Sequence, residues 1–405
     1  MFSLKWTIIL LALSLGLTSC VSAVAPTESP TQTNVPEPAP VLETPSAPPA
    51  ELMPTDEPPP SGAAAQFSTD FSKHSVSYED ILSGGPPKDG ILSIDAPSYV
   101  SIEEASQWIN DREPIIFIKV DDVARAYPLQ ILMWHEIVND VLNEKPLSVS
   151  FCPLCNTAIA FEREFDGQVL DFGTTGRLRY SNLIMYDRQT ETWWQQATGE
   201  GIAGEYTGEQ LTYYPAAIIS WADFKAQYPA GDVLSKETGY NRDYGRNPYA
   251  GYDDINQTPF LFDGVYVDKL PAMARVLTIE LNGQTIAYPY TTLQELDVVN
   301  DTVAGEEIVV FWTKGTASAL DAGLIEAGQD VGAAVAYSRQ SAGRTLHFIA
   351  KDGIIYDDET SSEWNIFGEA IVGELVGETL TPIVSVNHFW FSWAAFKPET
   401  RIYQP

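Results

Sequence analysis

The feature that most constrains the fold of this 405-residue chain is an internal repeat. Four short segments of the first half recur in the second half in the same order, at offsets of 161 to 172 residues. The matched segments are 126–140 with 287–301, 185–194 with 355–364, 204–211 with 373–380, and 220–224 with 392–396. Such a pattern predicts a tandem duplication, with units near 90–230 and 275–405.

Each unit is predicted to combine short strands with two short helices. In the first unit the expected elements are a helix over 129–139, a strand over 147–151, hairpins over 157–172 and 183–196, and a helix over 221–227. Alternating apolar residues on both sides of Asp166-Gly167 favour a hairpin there, and Ser220 suits an N-cap. The fold class is therefore α+β, strand-dominated and mainly antiparallel.

The N-terminus has the pattern of a bacterial lipoprotein. Residues 1–20 contain one positive charge, a short apolar run and small residues before Cys20. The run is too short for an ordinary membrane-spanning helix, so it predicts a signal peptide. Leu17-Thr-Ser-Cys20 resembles a lipobox, with a plain cleaved signal as the alternative. We therefore expect a lipid anchor on Cys20 that holds the protein to the extracytoplasmic face of the cell membrane.

Residues 21–66 are predicted to form a disordered, proline-rich tether. They hold 12 prolines and no Lys, Arg or aromatic residue. Such a segment cannot bury enough apolar surface to offset the entropy lost on ordering. The expected domains after it are a first repeat unit over 67–270 and a second over 271–405.

The charge of the chain limits its partners. A formal charge of −32 argues against nucleic acid, because the phosphates would be repelled. Beyond the membrane contact through lipid, the sequence names no partner, and we expect a monomer.

Two cysteines three residues apart form the main candidate site. Cys152 and Cys155 lie in a short segment after a predicted strand, and His135 lies seventeen residues before the first of them. The second unit has none of these residue types at the aligned positions, which are Leu296, Trp312 and Gly315. The three side chains are therefore not needed to build the repeat, which indicates a site in the first unit alone.

Three interpretations of the cysteine pair stay open. As a soft ligand set with His135, it favours copper over zinc, because Cu(I) accepts low coordination whereas structural zinc needs a fourth strong ligand. As a redox pair, it has the spacing of a thiol–disulfide oxidoreductase, without a thioredoxin-like context. As a structural disulfide, it would belong to an exported surface recognition domain. Copper binding, delivery or storage is the leading hypothesis; the candidates for extra ligands are Met133, Met185 and His388.

A second candidate region is 236–254, which mixes tyrosine, arginine and glycine. Such a loop could bind an anion or cover a cleft. The candidate residues for an anion are Arg177, Arg179, Arg242, Arg246 and Tyr244. They would suit a metal-dependent enzyme acting on a small anionic substrate; the alternative is that the arginines pair with the many carboxylates. Whether the protein is an enzyme is left open.

Several motifs resemble those of a prokaryotic family known as domain of unknown function 3179. The matching segments are 127–129 with 134–140, 152–158, 172–177 through 186–188, and 238–253. They span most of 90–270 and include both cysteines. The resemblance implies one coherent domain with a family-typical site. It implies no reaction, because the family carries no established activity.

Overall fold

Short strands dominate residues 57–405, the part of the chain that the computed structural model describes. In the first half the elements are α1 (Ala63–Gln66), β1 (Ile81–Ser83), β2 (Tyr99–Val100), α2 (Ile102–Ala105), β3 (Pro114–Val120), β4 (Val123–Pro128), α3 (Leu129–His135), β5 (Ile137–Leu142), β6 (Lys145–Cys152), β7 (Thr157–Glu162), β8 (Glu164–Phe165), β9 (Gln168–Val169), β10 (Phe172–Arg179), β11 (Asn182–Asp187), β12 (Trp193–Gln195), β13 (Gly201–Ala203), β14 (Tyr213–Tyr214), β15 (Ala217–Ser220), α4 (Trp221–Gln227) and β16 (Asp232–Leu234).

The second half begins after a long irregular segment. Its elements are β17 (Arg275–Leu281), β18 (Gln284–Pro289), α5 (Tyr290–Leu296), β19 (Val298–Val303), β20 (Glu306–Thr313), β21 (Ala333–Ser338), β22 (Gln340–Ser341), β23 (Arg344–Thr345), β24 (Phe348–Lys351), β25 (Ile354–Asp357), β26 (Glu363–Trp364), β27 (Ala370–Val372), β28 (Ser385–Phe389), α6 (Trp390–Ala394) and β29 (Arg401–Ile402). Between residues 57 and 405 no helix combines the length and apolar character that crossing a membrane requires.

The strands form small sheets that are almost entirely antiparallel. The first half has the orders β1-β10-β11-β12-β13, β14-β7-β6-β5 and β15-β3-β4-β16-β2. The second half has β28-β17-β18-β29, β19-β20-β21 and β24-β25-β26-β27, and two-stranded ribbons β8-β9 and β22-β23 complete the set. Among the named strands of the described chain, only β4–β16 and β18–β29 pair in parallel. The prediction of a strand-dominated, mainly antiparallel fold is confirmed.

Most predicted elements of the first half are present, but one helix is shorter than expected. Ser220 caps α4, its hydroxyl accepting a hydrogen bond from the Asp223 amide. Helix α3 ends at His135, not at residue 139. Glu136 has a φ of 57° and a ψ of −32°, which no α-helix contains. Residues 137–142 begin with Ile137 and Val138 and pair with β6 as a mostly buried strand, so tertiary pairing overrides the helical spacing.

The N-terminal tether was predicted to extend too far. Residues 57–66 are ordered against the first half: the Glu57 carboxylate accepts from the Tyr78 amide at 2.7 Å, and Ala63 is fully buried. Ala63 packs in a cluster with Phe67 and Trp193, where its small side chain loses no rotamer entropy. The predicted signal peptide, Cys20 and the predicted tether up to residue 56 lie outside the described residues.

The two halves share a buried core. One apolar cluster contains Trp221 and Phe224 from the first half together with Phe311 and Trp364 from the second. An ion pair of 3.0 Å also joins Lys119 to Glu369 across the two halves. Removing either half would therefore expose apolar surface on the other, and the cysteine-bearing sheet depends on both.

Candidate functional site

Both cysteines lie in the tight connection between β6 and β7. Cys152 ends β6 and pairs with Thr157, the first residue of β7. A single 3₁₀ turn, Pro153–Cys155, links them. Pro153 suits the first turn position because its φ is fixed, and Asn156 accepts the left-handed backbone (φ 53°) that closes the turn. The local sequence thus holds both thiols on one short, constrained loop.

The two sulfurs are close together and buried. Their Sγ atoms lie 3.0 Å apart, and both residues are free thiols in this structure. Cys152 is 2% exposed and Cys155 is fully buried. A disulfide bond is about 2.05 Å long, so a shift of about 1 Å would join the sulfurs. Burial raises the pKa of the Cys152 thiol well above its usual range, and the neighbouring Cys155 and the Glu136 charge raise it further.

Polar groups of β11 and of the turn before it orient the Cys155 sulfur. The Asn182 amide donates to Cys155 Sγ at 3.3 Å, and the Cys155 thiol donates to the Ser181 carbonyl at 3.3 Å. Asn182 is itself held by Gln195 and Gln196, at 2.6 and 3.0 Å. The sulfur therefore sits among fixed hydrogen-bonding groups, although the surrounding cluster is apolar.

A long irregular segment, residues 235–274, lies over the cysteines; we call it the covering segment. The Tyr252 hydroxyl donates to the Leu154 carbonyl at 3.1 Å, inside the cysteine turn. The Phe260 carbonyl accepts from the Ser181 hydroxyl at 2.6 Å, and Tyr249 packs against the cluster that contains both cysteines. Irregular segments of this length in compact domains are commonly lids or binding loops. The segment therefore contributes to the burial of the cysteine turn.

His135 belongs to a separate hydrogen-bond chain under the covering segment. Its Nδ1 donates to the Leu92 carbonyl at 2.6 Å, and its Nε2 is bonded to the Tyr244 hydroxyl at 2.6 Å. Burial lowers the pKa of His135, with the charge of Arg242 as a smaller cause. In the neutral ring Nε2 accepts from Tyr244, whose oxygen can accept from Thr238 at 2.6 Å. Both ring nitrogens are thus engaged, and a metal would have to displace Tyr244.

The other predicted metal ligands lie in different parts of the fold. Met185 is buried in the same cluster as both cysteines, whereas Met133 is buried in a different one. His388, on β28, is fully buried with its Nδ1 2.8 Å from the Thr157 hydroxyl. Its Nε2 has no hydrogen-bond partner within the described residues. Residues 57–405 contain no group of three or more His, Cys, Asp or Glu side chains arranged to hold a metal ion.

Each predicted anion-binding residue has contacts of its own with other residues. Arg179 lies 3.8 Å from an Asp80 carboxylate oxygen, and Arg246 lies 2.7 Å from Asp243, as the ion-pair alternative expected. Arg177 donates to the Ser61 carbonyl at 2.8 Å. Arg242 and Tyr244 lie instead beside His135, as described above. An anion site built from the arginines together stays a prediction.

Glu136 is a site residue that the sequence did not single out. It follows His135 directly, is 9% exposed, and burial raises the pKa of its carboxyl to about 8. Its carbonyl accepts from the Phe151 amide at 2.8 Å, next to Cys152 in sequence. Its charge also raises the pKa values of Cys152 and Tyr249. Acidic residues are abundant in this chain, which concealed it. The sequence signal that could have identified Glu136 is a carboxylate within 131–138, a run that is otherwise apolar apart from His135.

The chain belongs to a protein family of unknown function. The family model described as Protein of unknown function (DUF3179) matches residues 88–400, more than half of the chain. The resemblance inferred from the motifs is confirmed, and the match continues through the second half. No curated protein and no solved structure matches the chain. Function therefore has to be inferred from the site.

Burial of His388 predicts an acid-sensitive fold. Desolvation lowers the pKa of His388 to about 3, whereas an unfolded histidine has a pKa of about 6.5. Below pH 6.5 His388 is protonated in the unfolded chain but stays neutral in the folded protein. The free energy of unfolding therefore falls by about 1.4 kcal/mol for each unit by which the pH is lowered. In denaturant titrations from pH 4 to 7, His388→Asn should reduce this slope. His347→Gln, at a half-exposed position, is the matched control. An unchanged slope in His388→Asn would contradict the assignment.

Proposed function

We propose that this member of the DUF3179 family is a thiol–disulfide oxidoreductase that works through Cys152 and Cys155. The observation that carries the proposal is the 3.0 Å separation of two free, buried sulfurs on one constrained turn. A dithiol held this close can close to a disulfide with little movement of the backbone. Copper binding was the leading prediction from sequence, but both nitrogens of its imidazole ligand are engaged elsewhere.

The reaction needs two thiols and a disulfide substrate. One cysteine thiolate attacks a sulfur of the substrate disulfide and forms a mixed disulfide, while the first substrate thiol leaves. The other cysteine then attacks the protein sulfur of that mixed disulfide, which closes Cys152–Cys155 and releases the second substrate thiol. In total, two protein thiols are oxidised and one substrate disulfide is reduced to two thiols. The reverse sequence oxidises a substrate dithiol.

Burial of the site limits the substrate. Neither sulfur is open to solvent, and Tyr252 and Phe260 of the covering segment are hydrogen-bonded at the cysteine turn and at Ser181. A protein disulfide could reach the sulfurs only if this segment opened. The geometry therefore favours a small organic disulfide or dithiol over a bulky protein partner.

Exchange with a small disulfide tests the proposal. The reduced protein should convert both thiols to one disulfide, with the mass falling by two hydrogens, while its circular dichroism stays native. Cys152→Ser and Cys155→Ser should each be unable to complete the cycle, and the variant that keeps the attacking thiol should accumulate the mixed disulfide. Retention of both thiols in the folded wild-type protein, or their loss only in denaturant, would contradict the proposal.

A second candidate function is binding of Cu(I) by the same two thiols. Met185 favours it, because a thioether in the same buried cluster is a soft ligand. In this case the reduced protein binds one Cu(I) with release of protons, and binding weakens as pH falls. Competition with a Cu(I) chelator separates the two functions, since disulfide exchange requires no metal.

We also infer that the two halves arose by duplication. Three hydrogen-bond arrangements that recur in both halves support this. Asn139 bonds to the Phe172 backbone as Asn300 bonds to that of Phe348. Tyr127 bonds to Asp140 as Tyr288 bonds to Asp301, and Trp194 bonds to Asp187 as Trp364 bonds to Asp357. The Phe151 amide donates to the Glu136 carbonyl, and the Trp312 amide donates to the Asp297 carbonyl. Matching these two hydrogen bonds pairs Phe151 with Trp312 and therefore Cys152 with Thr313. The sequence comparison had paired Cys152 with Trp312, one residue earlier.

We further propose that the protein acts at the extracytoplasmic face of the cell membrane, anchored by lipid on Cys20. The support is the lipobox-like Leu17-Thr-Ser-Cys20. Cys20→Ser should release the protein from the membrane fraction or leave its signal peptide uncleaved. Thiol–disulfide exchange through Cys152 and Cys155 should be unaffected in that variant. Membrane association that persists after correct cleavage would contradict the anchor.

A further inference from the structure

A cleft lies where the two halves of the described chain meet. It measures about 300 Å³ with its open mouth included, which is small for a ligand pocket and suits a small molecule. Arg275 lines it, and the side chain of this arginine is 13% exposed. Asn156, directly after Cys155, also lines it, so the cleft lies beside the cysteine turn.

The two walls of the cleft differ in chemistry. The first half supplies apolar residues and the second half supplies polar residues at matching positions of the fold. The pairs are Pro114 and Arg275 at the starts of β3 and β17, Leu129 and Tyr290 at the starts of α3 and α5, and Ile218 and Asn387 two residues before the ends of β15 and β28. The first half builds the same elements without polar side chains, so the fold of a half does not require them. Buried polar groups cost free energy unless they are hydrogen-bonded, so packing alone does not favour them here.

A loop of the second half supplies another wall. Residues 314–332 connect β20 to β21, where the first half has the short cysteine turn between β6 and β7. The loop places Thr316 and Ser318 in the lining of the cleft. Thr316 is 1% exposed, and its hydroxyl has no hydrogen-bond partner within residues 57–405. A buried hydroxyl left unpaired costs free energy, which a ligand at this wall would recover.

The unpaired groups of the cleft are mainly hydrogen-bond donors. Arg275 Nη2 donates to Asp253 and to Ser318, at 2.6 Å each, whereas its Nη1 and Nε have no acceptor among the described residues. The Tyr290 hydroxyl donates to the side-chain oxygen of Asn387. The amide nitrogen of Asn387 therefore keeps its N–H groups for another acceptor. A negatively charged group with two acceptor oxygens satisfies such a set of donors.

We propose that this cleft binds the carboxylate of a small organic acid. The carboxylate accepts from Arg275, from the Asn387 amide and from the Thr316 hydroxyl, while the short carbon chain packs against the apolar wall of the first half. Asp253 engages only Nη2 of Arg275. The guanidinium stays charged, so its remaining N–H groups suit a carboxylate. The inference does not depend on the cysteine chemistry, because no thiol takes part in the binding.

Propionate tests the site in the full-length protein. Isothermal titration calorimetry at constant ionic strength should show one propionate bound with millimolar affinity. The neutral isostere propionamide should bind at least about tenfold more weakly, because hydrogen bonds to a charged group are the stronger ones. Propionate should also raise the melting temperature by mass action. Absence of saturable binding, or equal binding of propionamide, would overturn the proposal.

Thr316→Val and Thr313→Val form a matched pair of variants. Both remove a buried hydroxyl that has no hydrogen-bond partner in the described part of the chain, but only Thr316 lines the cleft. Thr316→Val should weaken propionate binding about tenfold without lowering the melting temperature of the free protein, since an unpaired hydroxyl does not stabilise the fold. Thr313→Val should bind as wild type does. Equal affinity in the two variants, or a less stable Thr316→Val, would contradict the assignment.

Arg275→Lys separates recognition of the carboxylate from the ion pair with Asp253. Lysine keeps a positive charge beside Asp253 but lacks the planar set of N–H donors. The variant should keep its native circular dichroism and bind propionate about tenfold or more weakly than wild type. Undiminished affinity in the folded variant would show that propionate binds elsewhere, and the proposal would then be wrong.

Discussion

The turn between β6 and β7 is the constraint on which the site depends. Cys152 and Thr157 are strand partners, so the four residues between them have to reverse the chain in a minimal space. Pro153 begins that turn and Asn156 ends it in a left-handed conformation. The two thiols consequently approach each other because the sheet register requires it. The approach of the two sulfurs thus follows from ordinary antiparallel pairing.

Burial around this turn disfavours charge on the acidic groups of the site. Low polarity disfavours charge on Cys152 and on Glu136, which raises both pKa values. The Asn182 amide donates one hydrogen bond to Cys155 Sγ, so the buried turn also has a polar contact. The covering segment adds to this burial, since the Tyr252 hydroxyl donates to the Leu154 carbonyl inside the cysteine turn. The second half contributes by packing: His388 contacts Thr157, the residue paired with Cys152.

Much of the fold could be predicted from sequence, because local patterns and tertiary pairing agree. The hairpins, the strand before the cysteines and the Ser220 cap followed from alternation and capping chemistry. The end of α3 could not be predicted in this way, since the apolar residues Ile137 and Val138 fit helical spacing and strand β5 equally well. The ordered residues 57–66 were also missed, because their proline-rich composition resembles that of the tether before them.

The candidate site could be predicted only in part. The spacing of Cys152 and Cys155 identified the turn, and the tyrosine-rich region identified the segment over it. The direction of the His135 ring could not be inferred, because it depends on Leu92 and Tyr244, 43 and 109 residues away in sequence. Glu136 was hidden among many acidic residues, and only its burial distinguishes it.

The proposed oxidoreductase function requires Cys152 and Cys155 to be a reversible redox couple in the folded protein. The most direct measurement is equilibration of native protein in buffers of defined thiol and disulfide ratio, followed by acid quenching and counting of free thiols. A reversible Cys152–Cys155 couple predicts a single two-electron transition in which both thiols are lost together and fully regained on reduction. Thiols that stay reduced at every ratio, or that titrate one at a time, would contradict it.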